Sequence, residues 1–212
     1  MDLYFAPLAC SMATRIAFYE AGVAANFIQV DQRAKRAADG MDFYTLNPMG
    51  QVPVLRTDDG DLLTENPAIL LYVADRHPGS GLAPAAGIER YRLLQWLNFI
   101  TSELHKVVFV PLLEQASPEG AKTYAKDKAG RRLTVLDEHL VDRDYLLDGF
   151  TIGDAYLITV LNWARVTRVV DAGQYPHIAA YIERCLARPA VARALDEEMA
   201  LYKEEVARQR AA

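Results

Sequence analysis

The chain holds two cysteines, and one of them, Cys10, stands between an apolar run and the first turn of an amphipathic pattern in "FAPLACSMATRIAFYEAG". A thiol at the end of a strand, opening a helix, meets free backbone N–H groups and the positive end of the helix dipole, and both favour thiolate. The position equally suits a small apolar filler, because free cysteines are among the most buried residues. A partner stands in the other half of the chain. Asn98, Ser102 and His105 fall at steps of four and three, so at helical period they form one polar stripe away from the apolar one. His105 can hydrogen-bond a thiolate or exchange a proton near neutral pH, or it is a satisfied structural histidine. His77, His139 and His177 lie in loop-like or charged contexts and read as surface residues.

Backbone chemistry adds to these side chains. In "NPMGQVPVL", Val52 precedes Pro53 and must be extended, leaving N–H and C=O groups able to pair with a peptide-like ligand. Glu65 and Asn66 come just before Pro67, at a helix start. There the N–H groups can receive a ligand carboxylate while Glu65 accepts from a ligand ammonium, or both residues simply cap the helix. Lys35, in a polar loop, is a solvated charge or the partner of a second carboxylate. Cys10 and Cys185 show no CxxC and no Cys/His ligand spacing, so neither a disulfide framework nor a metal site is expected. Reduced cysteines fit the cytosol.

The elements that must position these residues change character along the chain. Up to about His77, short β-type runs ("LYF", "NFIQV") alternate with helical patterns, the first helix stopping at Gly22. "VPVLRTDDGDLLT" reads as two strands around the Asp59-Gly60 turn, and "ENPAILLYVADRH" as a closing helix with Pro67 in its first turn. The segment "HPGSGLAPAAG" is a linker by composition. Beyond about Ile88 nearly everything reads at helical period. Leu93, Leu97, Ile100, Leu104 and Val108 form an apolar stripe, and "FTIGDAYLITVLNWARV" a helix buried nearly all round, opened by a Thr151-x-x-Asp154 capping box. The domains expected are residues 1–77, a linker at 78–87, and an all-helical part at 88–212.

With 212 residues, 51% of them hydrophobic, 24% charged and a net charge of −5, the composition is that of a soluble globular protein. It has no Lys/Arg block of the kind that phosphate backbones need, so nucleic acid is not an expected partner. The uncharged run from Leu3 to Thr14 falls short of the ~20 residues of a membrane span, and no basic leader precedes it. A cytoplasmic protein without membrane attachment is expected.

Together, "ACS" at 9–11, "NPMGQVPVL" at 47–55, "TENPAI" at 64–69, "WLNFITSELHK" at 96–106 and "FTIGDAYLITVLNWA" at 150–164 resemble the cytosolic glutathione S-transferases, most of all the bacterial beta class. The resemblance implies an α/β thioredoxin-like N-terminal domain (βαβ-ββα) followed by an all-α C-terminal helical bundle. It further implies conjugation of reduced glutathione to small hydrophobic electrophiles, a detoxification chemistry, with thiol transfer or peroxide reduction as side activities of Cys10. Glutathione is then the co-substrate, with Cys10 beside its sulfur and His105 on the far wall. Val52 pairs with its cysteinyl part ahead of a cis Pro53. Glu65 and Asn66 hold the γ-glutamyl end, Lys35 meets the glycine carboxylate, and Asn98 and Ser102 reach across a homodimer interface. Leu8 and Phe109 line the electrophile pocket. Phe5, Leu8 and Asn66-Pro67 depart from the beta-class pattern, where tyrosine, glycine and a Ser or Gly pair are usual. Two other readings share the fold: a carrier or interaction protein without catalysis, and a glutathione-dependent reductase or dehalogenase.

Overall fold

The computed structural model describes residues 1–171 and 173–211. The apolar runs form β1 (Asp2–Phe5) and β2 (Asn26–Asp31), and helix α1 (Met12–Ala21) carries the chain back so that they pair in parallel, Leu3 opposite Phe27. With β3 (Arg36–Ala37), β4 (Val54–Arg56) and β5 (Leu62–Leu63) they make a five-stranded sheet of order β3-β2-β1-β4-β5. Side chains alternate across a strand, and β1 is buried on both faces. Tyr4 joins Val30, Ala37, Phe43, Leu46 and Val54 in one cluster, while the buried Leu3 and Phe5 point to the other side. α1 ends where Gly22 takes φ 67°, its N–H satisfying the carbonyls of Phe18 and Tyr19. Helix α2 (Asn66–Arg76), with Pro67 in its first turn, packs on α1.

The chain divides into two units elsewhere than the 77/88 boundary the composition suggests: Met1–Leu82 with the segment from Arg188 onward, and Ala83–Ala187. The last helix therefore belongs with the sheet, not with the helical part. Its charges and its small buried residues explain this. Arg188 grips Glu20 of α1 through two bonds of 2.7 Å, Val191 and Ala194 are buried, and Glu198 meets Arg15.

The elements of the second unit among the described residues are all helices. Helix α3 (Gly87–Asn98) continues into a π-helical segment (Phe99–Phe109) and α4 (Val110–Leu113), followed by α5 (Glu119–His139), α6 (Ile152–Asn162), α7 (Ala164–Thr167) and α8 (Pro176–Leu186). The last helix of the first unit is α9 (Pro189–Ala211). The stripe Leu93, Leu97, Ile100, Leu104 and Val108 is wholly buried, as is every residue of α6 from Ile152 to Leu161. The capping box at α6 is present. Thr151 Oγ1 accepts from Gly153 N–H, and Asp154 accepts from the Thr151 and Leu146 N–H groups, both at 2.9 Å, and from the Tyr181 hydroxyl at 3.1 Å. His139, expected at the surface, is half-buried instead, 4.4 Å from the Trp96 ring and bonded to the Leu146 carbonyl.

Asp154→Ala strips several buried donors of their acceptor at once. It should lower the unfolding free energy by roughly 3 kcal/mol, combining a lost cap with unsatisfied buried groups; urea titration followed by circular dichroism measures this, and a loss under ~1 kcal/mol would contradict it.

Candidate functional site

Cys10 lies one residue before the Ser11 cap of α1, in a turn closed by Ala9 N–H on the Ala6 carbonyl and by Ser11 Oγ on the same Ala6. Its sulfur, half-buried, donates to the Val52 carbonyl at 3.3 Å. This is a bond the thiol makes and the thiolate cannot. Val52 and Pro53 are joined by a cis peptide just ahead of β4. Asn47 builds the loop before them, donating to the Gln51 carbonyl at 2.7 Å and accepting from Met49 N–H. Gly50 sits in this loop at φ 61°, where a Cβ would come within 2.8 Å of the Tyr44 ring.

Three further residues border this centre. Glu65 precedes α2 at φ 64°, ψ 118°, strained backbone of a kind that gathers at ligand clamps. Its carboxylate is exposed, makes no cap bond, and has no partner among the described residues, so the capping alternative for Glu65 is not what the structure shows. Asn66 turns inward instead: buried, it donates from Nδ2 to the Cys10 carbonyl at 2.8 Å and accepts from Thr14 at 3.1 Å. Its side chain positions Cys10, leaving residue 66 only its backbone N–H for a ligand. Lys35 is not a freely solvated charge, since Nζ donates to the Gly50 carbonyl at 2.8 Å and to Gln32 at 3.3 Å.

In the second unit the expected polar stripe divides. Asn98 and Ser102 are exposed, with side chains bonded to the carbonyls one helical turn back, Leu94 and Asn98. His105 is buried, its Nδ1 2.7 Å from the Tyr156 hydroxyl and its ring centroid 5.0 Å from that of Trp163. The π-helical turn is the reason. Val110 N–H bonds back five residues, to the His105 carbonyl, so the 3.6-residue period no longer governs which face a residue takes. Phe109, expected to line a pocket, is a core residue with 0% exposure, packed against Trp163.

Burial holds the His105 imidazole down at about 4, with the Lys106 charge adding to the effect. His105 is therefore neutral across the neutral range, and the expectation that it exchanges a proton there is corrected. Nδ1 shares a hydrogen bond with the Tyr156 hydroxyl, which fixes the orientation of the ring.

Four residues of this architecture escaped sequence reasoning: Tyr156 and Trp163 around His105, and Arg15 and Glu198 behind the Cys10 loop. Arg15 left a signal, a cation among the buried residues Met12 to Phe18 of α1. Leu8, between β1 and Cys10, has φ 60°, and its N–H donates to Glu198 at 2.7 Å. Among the described residues no group of three or more His, Cys, Asp or Glu could hold a metal ion, and no helix is long and apolar enough to cross a membrane.

A thioredoxin-like sheet with a cysteine at the first strand–helix turn and a cis-proline before β4, joined to a helical unit, defines a class. Residues 9–76 match the family model "Glutathione S-transferase, N-terminal domain" and residues 100–189 match "Glutathione S-transferase, C-terminal domain". The chain belongs to the glutathione S-transferase family, and is by that membership a transferase. It is 42% identical over 200 residues to glutathione S-transferase GstA of Escherichia coli O157:H7, covering 93% of this chain and 98% of that protein. A sphingomonad glutathione S-transferase solved in complex with glutathione is 44% identical, with a TM-score of 0.88 over 93% of this chain and 98% of that one. A beta-class enzyme of Sphingomonas chungbukensis is 42% identical at the same TM-score, 0.88, and the same coverage, 93% and 98%.

The depressed His105 makes a pH prediction. Its neutral form is favoured in the fold, so the stabilisation is complete above the ordinary 6.5 and is lost as pH falls towards about 4, while the unfolded chain takes up the proton. The unfolding free energy relative to His105→Asn should drop by ~3 kcal/mol between those limits. A pH-independent difference in urea unfolding would contradict it.

Proposed function

We propose that this chain conjugates reduced glutathione to small hydrophobic electrophiles, as a cytoplasmic homodimer serving detoxification. The observation that carries the reading is the grouping in one unit of a half-exposed Cys10, the Val52–Pro53 backbone beside it, and a Glu65 carboxylate on strained backbone that has no partner among the described residues. Glutathione offers what each lacks: a thiol for the neighbourhood of Cys10, a peptide unit for Val52, and an ammonium for Glu65. Lys35 supplies the cation for its glycine carboxylate, and Asn98 and Ser102 serve its γ-glutamyl end.

In the reaction, the glutathione thiol loses its proton to solvent and the thiolate attacks carbon. A C–S bond forms as halide leaves with its electron pair, or as the neighbouring carbon of an activated double bond takes up a proton. Lowering a thiol by about two pK units stabilises the thiolate by roughly 2.7 kcal/mol relative to the thiol. His105 belongs to this reading as a neutral imidazole. Cys10, being itself a thiol, supports a second activity. Its thiolate attacks a mixed disulfide of glutathione, releases the other thiol, and is freed by a second glutathione, which leaves as glutathione disulfide.

Glu65→Ala should weaken glutathione binding at least tenfold in calorimetric titration, because a ligand ammonium loses its charge partner; an unchanged dissociation constant would remove Glu65 from the site. Cys10→Ala should depress thiol transfer to hydroxyethyl disulfide far more than it weakens glutathione binding, and equal rates for variant and parent would remove Cys10 from that chemistry. No binding at millimolar glutathione would favour the carrier or interaction protein.

A further inference from the structure

Glu198 lies on α9, 190 residues from Leu8 in sequence, with 0% exposure. Its Oε2 accepts the Leu8 N–H at 2.7 Å. Its Oε1 lies 3.0 Å from Arg15 Nε, an ion pair without hydrogen-bond alignment. Among the described residues, then, the aligned bond to this buried carboxylate is the one from Leu8. Arg15 is itself held, its guanidinium 4.3 Å and 4.0 Å from the Phe5 and Phe27 ring centroids and Nη1 3.0 Å from Glu197.

Leu8 is the residue that needs holding. At φ 60° it occupies left-handed backbone that a Cβ disfavours, and it is two residues from Cys10. A relaxed Leu8 would redirect the chain that presents the thiol to Val52.

We propose that Glu198 is a positioning residue for catalysis: by binding the Leu8 N–H it keeps the Ala6–Cys10 turn in the conformation that sets the Cys10 sulfur beside the Val52 carbonyl. The inference rests on the reading of Cys10 as the reactive thiol. Burial pushes Glu198 up to about 7 against the opposing pull of Arg15 and the Leu8 N–H, so the grip weakens as Glu198 gains its proton. The other charged and titratable groups around this pair are Arg15 and Tyr19 on α1 and Glu197 and Arg193 on α9.

The test is the rate of Cys10 alkylation by iodoacetamide from pH 5 to 9 in the full chain, with the labelled peptide identified by mass spectrometry. Cys185 is fully buried and stays unlabelled in the folded protein. Glu198→Ala should change the rate at pH 7 at least threefold and shift the profile. Glu198→Gln, whose amide oxygen still accepts from Leu8, should stay within twofold of the parent at pH 5, where Glu198 is itself neutral. An unchanged profile in Glu198→Ala overturns the proposal, as does a Glu198→Gln profile that matches Glu198→Ala, since the Arg15 countercharge would then be what matters. Should Glu198→Ala not fold, the Leu8 amide signal in proton–nitrogen spectra decides. It should move with pH between 5 and 9 in the parent and stay still in Glu198→Gln, and a signal flat in the parent overturns the proposal. Because alkylation needs neither glutathione nor turnover, a failure here is distinct from a failure of the Cys10 reading, which shows as undiminished thiol transfer in Cys10→Ala.

Discussion

Asn66 donates to the Cys10 carbonyl at 2.8 Å and accepts from Thr14 at 3.1 Å, and through these two bonds the start of α2 is tied to the start of α1. The tie is made by a buried amide that finds partners on both sides, which is what a buried polar group needs to be stabilising. Its consequences run outward. Cys10 is fixed relative to Val52, the strained Glu65 next to Asn66 is held at the helix start, and the Glu65 carboxylate is left exposed without a partner among the described residues. One inward-facing side chain thus separates the residue that builds the site from the neighbour that is free to meet a ligand.

Charge is placed by the same logic. Arg15 is enclosed by two aromatic rings and two carboxylates, so a cation that would otherwise be costly inside the first unit has a fixed address on α1. His105 reaches the opposite outcome in the second unit. With Tyr156 and Trp163 around it and no carboxylate bonded to it among the described residues, burial wins and the ring stays neutral. A neutral histidine can direct a hydrogen bond but not supply a full charge, which confines the chemistry it can perform.

Much of this protein was legible in its sequence because the signals are local. The parallel β1–α1–β2 unit follows from period and from Gly22, the β4–β5 hairpin from Asp59-Gly60, and the α6 cap from Thr151 and Asp154. The positions of Cys10, Val52-Pro53 and Glu65 followed from strand ends and helix starts. What was misread depends on geometry that no short window contains. The π-helical turn broke the stripe of Asn98, Ser102 and His105, and the 3.6-residue count that predicted it assumes a backbone the segment does not have.

Where α9 packs and what stands behind Cys10 depend on contacts between distant parts of the chain. The helical period read beyond Ile88 marks the segment as a helix, yet the same period would serve a helix packed on any apolar surface. The choice of α1 rests on Arg188 with Glu20 and Arg15 with Glu198, pairs separated by more than 160 residues. The elements and the residues at their ends were readable along the chain, because propensity and capping act over a few residues. Burial, and with it the neutral His105, the inward Asn66 and the Glu198 grip on Leu8, was decided by tertiary packing, because desolvation depends on which distant surfaces close over a group.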